Sequence, residues 1–185
     1  MNSDQRHKCV IIPIIRTDTG NKILTVRDKR FKEWTFITGG CRKREISDPI
    51  RCALRELEEE TRGSFQITGE LYKYFKFITK IRSPEELERD RKEGLDVTCI
   101  YHVYVFIQGM SATEMTSSVN SFYYEKAITD NKKRNKIPIK KAFDENDMMA
   151  FDTYQMFNKK VVWPFITNTV MTNPEFEKII RNFLL

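Results

Sequence analysis

The sequence predicts a fold of the mixed α and β class (α/β or α+β), and two kinds of pattern indicate it. Several runs of β-branched and aromatic residues are separated by turn signals, which is typical of strands. Two amphipathic patterns, each introduced by a proline, indicate helices. Since 185 residues are enough to bury a core without disulfides, we expect residues 1–185 to form one domain.

The amino-terminal part of the chain predicts three strands. Residues 8–16 and 22–28 are apolar runs joined by the turn sequence TDTGN, which favours a β-hairpin. Residues 34–38 form a shorter run that ends at Gly39 and Gly40, where the backbone can approach a ligand closely. A strand that leads into a glycine loop indicates a ligand site.

Residues 49–61 carry the strongest helical pattern. Ser47 or Asp48 stands at the N-cap, Pro49 lies in the first turn, and Gly63 is expected to end the helix. One stripe of the helix is apolar and should pack on the core, and it comprises Ile50, Ala53, Leu54 and Leu57.

The same helix places three carboxylates on one face. Glu56, Glu59 and Glu60 stand at i, i+3 and i+4. Carboxylate oxygens are the ligands that Mg²⁺ and Mn²⁺ prefer. The sequence therefore predicts a site for a divalent metal ion on this face.

The middle of the chain predicts two long strands with a charged insertion between them. Residues 65–81 and 96–107 are rich in aromatic and β-branched residues. Residues 83–94 begin with Ser-Pro and are highly charged, which favours a short exposed helix or an ordered loop.

The last third of the chain begins with a weak pattern and ends with a clear one. Residues 131–141 are expected to form a basic loop, and its cations are Lys132, Lys133, Arg134, Lys136, Lys140 and Lys141. A final strand is predicted over residues 147–151, followed by a helix capped by Asp152. Pro174 opens a last amphipathic helix.

Composition restricts the partners and the compartment. The formal net charge of +6 and the pI of about 9.1 favour an anionic partner. No apolar run is long enough for a membrane span or arranged as a signal peptide, so we expect a cytoplasmic protein without a membrane partner. The four cysteines and two histidines show no ligand spacing, which argues against zinc.

The segment 39–63 resembles the Nudix box, GX5EX7REUXEEXGU, in which U is an aliphatic residue. The match covers Arg55, Glu56, Leu57, Glu59 and Glu60. The resemblance implies a Nudix fold, with a mixed sheet sandwiched between helices and extra carboxyl-terminal helices. It also implies hydrolysis of a pyrophosphate bond in a substrate that contains a nucleoside diphosphate linked to another group.

The chain departs from this signature at two points. The interval from Gly40 to Arg55 is one residue longer than the signature, so Glu45 cannot satisfy both of its intervals. Arg62 stands at the second glycine position, and Gly63 follows one residue late. We expect the helix end to shift by one residue and the acids to be unaffected.

The resemblance implies a metal-dependent reaction with Mg²⁺ or Mn²⁺ as the cofactor. The expected ligands are Glu59 and Glu60, with a carbonyl group of Gly39 or Gly40 completing the shell. Glu56 would bind a second ion or would orient and deprotonate the attacking water.

Further residues would support the reaction. Arg55 would position the acids through charge-assisted hydrogen bonds. Glu45 would fold back toward Arg55 or toward the metal. Another acid from a later loop is common in the family, and Glu145 is the first candidate here, with Glu125 as the second.

Charge points to an RNA substrate. The expected substrate is the 5′ cap of mRNA, with the basic loop following the RNA phosphates. The overall pattern is similar to Nudix decapping proteins of large DNA viruses. One alternative is a small substrate that is ADP-ribose-like, a dinucleoside polyphosphate or a diphosphoinositol polyphosphate. The other is an inactive Nudix domain that binds RNA or protein. The sequence gives no prediction of the oligomeric state.

Overall fold

A seven-stranded mixed sheet forms the centre of the computed structural model, which describes residues 5–80 and 84–185. Its strands are β1 (Gln5–Arg16), β2 (Lys22–Asp28), β3 (Trp34–Thr35), β4 (Ile37–Gly40), β5 (Glu70–Thr79), β6 (Thr98–Gly109) and β7 (Asn146–Asp152). The path through the sheet runs β3-β2-β1-β6-β5, with β4 paired to β1 and β7 paired to β2.

Strand β1 organises the sheet because it pairs with three other strands. It runs parallel to β6 over its whole length, from the pair Gln5–Thr98 to the pair Arg16–Gly109. On its other edge, β1 pairs antiparallel first with β4 and then with β2. The predicted hairpin of β1 and β2 is therefore present, and the strand that ends at the glycine pair lies against the start of β1.

Five helices surround the sheet in the described part of the chain. They are α1 (Pro49–Glu60), α2 (Pro84–Lys92), α3 (Ala112–Arg134), α4 (Tyr154–Asn158) and α5 (Pro174–Ile179). Short 3₁₀ turns occupy Lys43–Glu45 and Lys141–Asp144, and π-helical turns occupy Ile166–Val170 and Ile180–Leu184. Each helix in residues 5–80 and 84–185 is too short or too polar to cross a membrane.

Apolar residues cover both faces of the sheet. Alternate residues of β1 point to opposite sides, so Ile12 and Ile14 join the core under the carboxyl-terminal helices, whereas Ile11 and Ile15 join the core under α1 and α3. All four are fully buried, as expected for a strand that is covered on both faces. The predicted mixed sheet between helices, with extra carboxyl-terminal helices, is confirmed.

Helix α3 corrects the prediction for residues 109–141. The sequence has only a weak pattern there and predicted no helix, with a basic loop over 131–141, but the structure has a 23-residue helix that ends at Arg134. Its pattern is weak because few of its side chains are buried. A start signal was present, since Ser111 caps the helix and Glu114 returns a hydrogen bond to the Ser111 backbone.

The predicted charged insertion forms the exposed helix α2, and residues 81–83 at its start lie outside the described residues. The strand predicted over 65–81 is shorter, because β5 begins at Glu70. Helix α4 is capped by Thr153 rather than by Asp152, whose buried carboxylate accepts hydrogen bonds from Thr25 and Lys160 instead.

The end of α1 corrects a second prediction. The helix does not shift by one residue, because Arg62 itself adopts the left-handed conformation with φ of 57°. The Arg62 side chain is 2% exposed and donates to the Asn146 carbonyl at 2.9 Å and to Thr129 Oγ1 at 3.1 Å. These buried hydrogen bonds hold a residue that carries a Cβ atom in a conformation that favours glycine.

Candidate active site

Helix α1 presents its acids toward the sheet rather than toward open solvent. Its buried residues are Cys52, Ala53, Glu56, Leu57 and Glu60. The predicted apolar stripe is therefore partly wrong, because Leu54 is 42% exposed. The burial of two carboxylates on the side of the sheet makes this face chemically unusual.

Arg55 is the centre of the hydrogen-bond network. Its Nη1 atom donates to Glu56 at 2.7 Å and to Glu59 at 2.8 Å. Its Nη2 atom donates to the Gly40 carbonyl at 2.9 Å. One guanidinium group thus joins the glycine loop to two acids of the helix, and its planar set of donors orients them.

Glu45 completes this network from the 3₁₀ turn before α1. Arg55 donates to its two carboxylate oxygens, through Nε at 2.8 Å and Nη2 at 2.9 Å. The hydrogen bonds from Arg55 lower the pKa of Glu45 to about 2, although burial opposes the shift. The longer loop therefore brings Glu45 to Arg55 despite the unusual spacing.

Glu56 lies directly over Gly39. A Cβ atom built on Gly39 would lie 1.9 Å from Glu56 Cδ, so only glycine leaves space for this carboxylate. Burial raises the pKa of Glu56 to about 7, against the lowering effect of the Arg55 hydrogen bond. A carboxylate with this pKa exchanges protons readily near neutral pH.

Glu60 is a buried acid at the end of α1. Its oxygens accept from the Thr38 backbone N–H and the Asn146 side-chain amide, each at 3.3 Å. Burial raises its pKa well above the ordinary value, and the charge of Glu56 raises it further. In the part of the chain that the structure describes, no cation pairs with Glu60.

Glu59 has a different environment from its two neighbours. It accepts from Arg55 and also from Arg42, whose Nη2 atom lies 3.1 Å away. Arg55 lies between Glu59 and Glu56, and within the described residues the oxygens of the three helix acids do not all fall within 4.8 Å of one another.

The structure brings Glu145 to this cluster and leaves Glu125 outside it. Glu145 directly precedes β7, and its pKa is raised first by desolvation and then by the charges of Glu59 and Asp28. Glu125 lies on α3, where its charge acts on Arg62. Of the two acids considered outside the box, Glu145 is therefore the one beside the helix carboxylates.

The oxygen donors of the site are of the kind that a divalent cation prefers, but no three described carboxylates have oxygens within 4.8 Å of one another, so ligation of one ion by three acids requires their side chains to move closer. Glu56, Glu59, Glu60 and Glu145 offer hard oxygen ligands, and Gly39 and Gly40 add backbone carbonyls nearby. The raised pKa values of Glu56 and Glu60 follow from burial and mutual repulsion, which a bound cation relieves. Glu45 forms an ion pair with Arg55, and this ion pair fixes where Glu45 lies relative to the other acids.

The six predicted RNA-binding cations are all exposed, but they do not share one loop. Lys132, Lys133 and Arg134 form the last turn of α3, whereas Lys140 and Lys141 lead into the turn before Glu145. Lys133 pairs with Asp144, and Lys140 lies 5.8 Å from the centre of the Phe143 ring. The other four form no ion pair with residues 5–80 or 84–185.

A cavity of about 550 Å³ opens next to the acids. Glu60 and Glu145 line it on the side of α1, and aromatic residues line it elsewhere, namely Phe31, Tyr101, Trp163 and Phe165. The Tyr101 and Phe165 rings lie 4.6 Å apart, and the Trp163 and Phe165 rings lie 4.9 Å apart. The wall of the cavity thus combines aromatic rings with carboxylates.

Three of these aromatic residues were missed in the sequence. Phe31 is 61% exposed between charged residues, and Trp163 and Phe165 flank a proline outside any predicted element. Large aromatic residues in such polar or turn-forming segments are the signal that identifies them. Tyr101 lies in the strand predicted over residues 96–107, and it is 3% exposed while also lining the cavity.

Comparisons with known proteins agree on the family and the fold. The family model described as NUDIX domain matches residues 5–134. No curated protein sequence matches the chain.

Solved structures with a similar fold include the NUDIX domain of Shewanella oneidensis NrtR complexed with ADP ribose. It has 9% sequence identity and a TM-score of 0.54, covering 96% of this chain and 88% of that chain. A mutT/nudix family protein from Listeria innocua has 12% identity and a TM-score of 0.51, covering 98% and 97%. The C-terminal domain of mouse MUTYH, in complex with human PCNA, has 12% identity and a TM-score of 0.50, covering 97% and 91%.

Proposed function

The chain belongs to the Nudix family and is a pyrophosphohydrolase of that family, and on this basis we propose that it removes the 5′ cap of mRNA with Mg²⁺ or Mn²⁺ as cofactor. Nudix hydrolases generally use divalent metal ions. The observation that carries the proposal is the position of Glu60 and Glu145, which belong both to the acidic cluster and to the wall of the aromatic cavity.

The acids of α1 have distinct tasks in this proposal. Glu59, Glu60 and Glu145 hold the metal ion, which when bound neutralises charge on the pyrophosphate oxygens. Glu56 accepts a proton from the attacking water, because its pKa of about 7 lies near the working pH. Arg55 fixes the direction of Glu56 and Glu59, and Glu45 fixes Arg55.

The cavity supports a substrate that contains a nucleobase. Its volume of about 550 Å³ lies in the range of small-ligand pockets. Phe31 and Trp163 offer ring faces for stacking, and Glu33 offers a carboxylate that can accept hydrogen bonds from a base edge. Guanine has N–H groups on its edge that can donate to such a carboxylate, which favours a cap nucleotide.

The basic residues support a polynucleotide on the other side of the cleaved bond. Lys140 and Lys141 lead directly into the turn that ends beside Glu145, so positive charge continues outward from the acids. The exposed last turn of α3 extends the same charge. An RNA chain that leaves the site in this direction meets cations at successive phosphates.

A small nucleotide substrate is the second candidate, and the cavity itself favours it. A volume of about 550 Å³ accommodates one base and its ribose without any contribution from the basic residues. ADP-ribose-like molecules, dinucleoside polyphosphates and diphosphoinositol polyphosphates belong to this class.

The test is a substrate panel with Mg²⁺ or Mn²⁺. The panel contains long capped RNA labelled in the cap, the free cap dinucleotide, ADP-ribose and a diphosphoinositol polyphosphate. Release of methylated guanosine diphosphate from long RNA alone supports decapping, and turnover of a small substrate alone selects the second candidate. The Glu59→Gln and Glu60→Gln variants should lose turnover on the best substrate, and wild-type turnover in both would remove these residues from the metal site.

A further inference from the structure

Three of the four cysteines meet behind the catalytic helix. Cys9 lies in β1, Cys41 follows the glycine pair at the end of β4, and Cys52 lies in α1. Their sulfur atoms all fall within 4.8 Å of one another, and Cys9 Sγ lies 3.1 Å from Cys52 Sγ. The spacing of the cysteines in the sequence gave no sign of this cluster, because its members come from three separate elements rather than from a short motif.

The three thiols differ in exposure in a way that suits ligand entry. Cys9 and Cys52 are fully buried, whereas Cys41 is half-buried. The Cys41 backbone N–H donates to the His7 carbonyl at 2.8 Å, so its position against β1 is fixed. The cluster is therefore shielded from solvent at Cys9 and Cys52 and is accessible to solvent at Cys41.

The size of the triangle matches a metal ion with thiolate ligands. Zinc lies about 2.3 Å from each sulfur, which places tetrahedral ligand sulfurs about 3.8 Å apart. This separation is within the 4.8 Å span of the cluster, and Cys9 and Cys52 reach it by moving apart by about 0.7 Å. The fourth ligand position of the ion then lies on the side of Cys41, toward solvent.

The chemistry of the ligands separates this site from the acidic one. Thiolates select zinc or copper(I), whereas Mg²⁺ and Mn²⁺ prefer carboxylate oxygens. Arg55 Nη2 lies 3.8 Å from Cys52 Sγ, so a positive charge adjoins the cluster.

We propose that Cys9, Cys41 and Cys52 bind one zinc ion. Each thiol loses its proton when it becomes a ligand, and the ion undergoes no change of oxidation state. The ion ties together β1, the glycine loop and α1. Cys41 adjoins Gly40, and Cys52 lies one helical turn before Arg55, so the zinc site braces the elements that hold the acids.

Cobalt(II) absorption tests the proposal directly. The full chain is stripped of metal, kept reduced with a phosphine and titrated with Co²⁺ in excess Mg²⁺. A thiolate-to-cobalt charge-transfer band that saturates at one equivalent, and that Zn²⁺ then abolishes, is the expected result. Cobalt on the carboxylates gives no such band, so the outcome is independent of the proposed hydrolysis.

Matched cysteine variants make the test specific. Cys41→Ser and Cys52→Ala should lose the band, with circular dichroism used to verify that each is folded. Cys99→Ala is the control, because Cys99 is buried on β6 in the core on the opposite face of the sheet and should leave the band unchanged. Absence of the band in the reduced wild-type chain, or an equal band in Cys41→Ser, would overturn the proposal.

Thiol reactivity gives a second readout that needs no cobalt. Cys41 is the accessible member of the cluster, so a thiol reagent should modify it in the metal-free chain. One equivalent of Zn²⁺ should slow this modification at least tenfold, and mass spectrometry locates the modified residue. Equal modification of Cys41 with and without Zn²⁺ contradicts the proposal.

Discussion

Gly39 and Glu56 are in such close contact that a Cβ atom on Gly39 would lie 1.9 Å from Glu56 Cδ. A Gly39→Ala substitution must therefore displace the carboxylate. Displacement of a catalytic group by about 1 Å lowers the rate roughly a hundredfold, and we expect a loss of this size in kcat/KM. Gly40→Ala is the control, because a Cβ atom there meets no atom within 4 Å. Equal losses in the two variants would show that the contact with Glu56 does not matter.

Glu45 acts on the acids through Arg55, and its role is one of positioning. In Glu45→Gln the charge-assisted pair weakens by about 1.5–3 kcal/mol, so we expect kcat to fall roughly ten- to a hundredfold with little change in KM. Arg55 lowers the pKa of Glu56, so a loosened Arg55 should move the acidic limb of the pH–rate profile to higher pH. Glu93→Gln, at an exposed site after α2, should leave both unchanged. A fall in kcat without a shift of the limb would indicate a purely structural role.

Glu56 predicts a pH dependence of stability in the metal-free protein. Its pKa rises from the ordinary value of 4.5 to about 7, so the folded chain holds this proton more tightly than the unfolded chain does. Its contribution is complete below about pH 4.5 and is lost as the pH rises to about 7, which lowers the free energy of unfolding by at most about 3 kcal/mol. Urea unfolding in a chelator at several pH values measures this loss.

Two comparisons identify the source of that loss. Glu56→Gln should make the decline smaller without abolishing it, because the pKa values of Glu60 and Glu145 are raised as well, whereas Glu58→Gln, at an exposed position on the same helix, should keep the full decline. Saturating Mg²⁺ should offset the decline in the wild-type chain, because the ion binds the folded state and replaces the proton. If the two variants show the same pH dependence, Glu56 is not the responsible group.

The sequence was sufficient for elements whose pattern matches their burial. The strands β1 and β6 are continuous apolar runs because both of their faces are covered, and α1 begins at its proline. Helix α3 was missed because only Met115, Ser118 and Phe122 are buried along its 23 residues. Its capping box was the one local signal of a helix. The absence of a clear apolar stripe outweighed that signal.

The candidate site, too, could be predicted from the sequence only in part. The acids of α1 could be predicted because i, i+3 and i+4 spacing places them together on any helix. The contact of Glu45 with Arg55 was expected only from the family resemblance, with the metal as the alternative partner. The aromatic wall at Trp163 and the cysteine cluster could not be predicted, because each joins residues from distant segments. Such convergence depends on the pairing of β1 with β4 and on the path of the carboxyl-terminal helices.

Arg62 predicts an unusual ranking of substitutions at the end of α1. Both Arg62→Gly and Arg62→Ala lose the buried hydrogen bonds to Asn146 and Thr129, so both should be destabilised by about 1–3 kcal/mol. Alanine must also adopt a φ of about 57°, so it should be less stable than glycine by about 1 kcal/mol. Urea midpoints of the three proteins measure the order. If the alanine variant is as stable as the glycine variant, then residue 62 leaves the left-handed conformation when it is substituted.

The exposed cations at the end of α3 predict a specific salt dependence of RNA binding. The variant in which Lys132, Arg134 and Lys136 are all glutamine loses three cations that form no ion pair with the described residues. If each contacts one phosphate of single-stranded RNA, the slope of log affinity against log salt should become shallower by about 2. Turnover of the free cap dinucleotide should not change, because the cavity and the acids are intact.

The control for that variant removes the same charge elsewhere, with Lys76, Arg91 and Lys159 changed to glutamine. These three residues are exposed on β5, on α2 and after α4 and form no ion pair with the described residues, so the slope should stay close to that of the wild-type chain. Lys133→Gln alone should have a smaller effect than Lys132→Gln, because Asp144 already neutralises Lys133. Equal slopes in the two triple variants would mean that net charge, rather than the end of α3, attracts RNA.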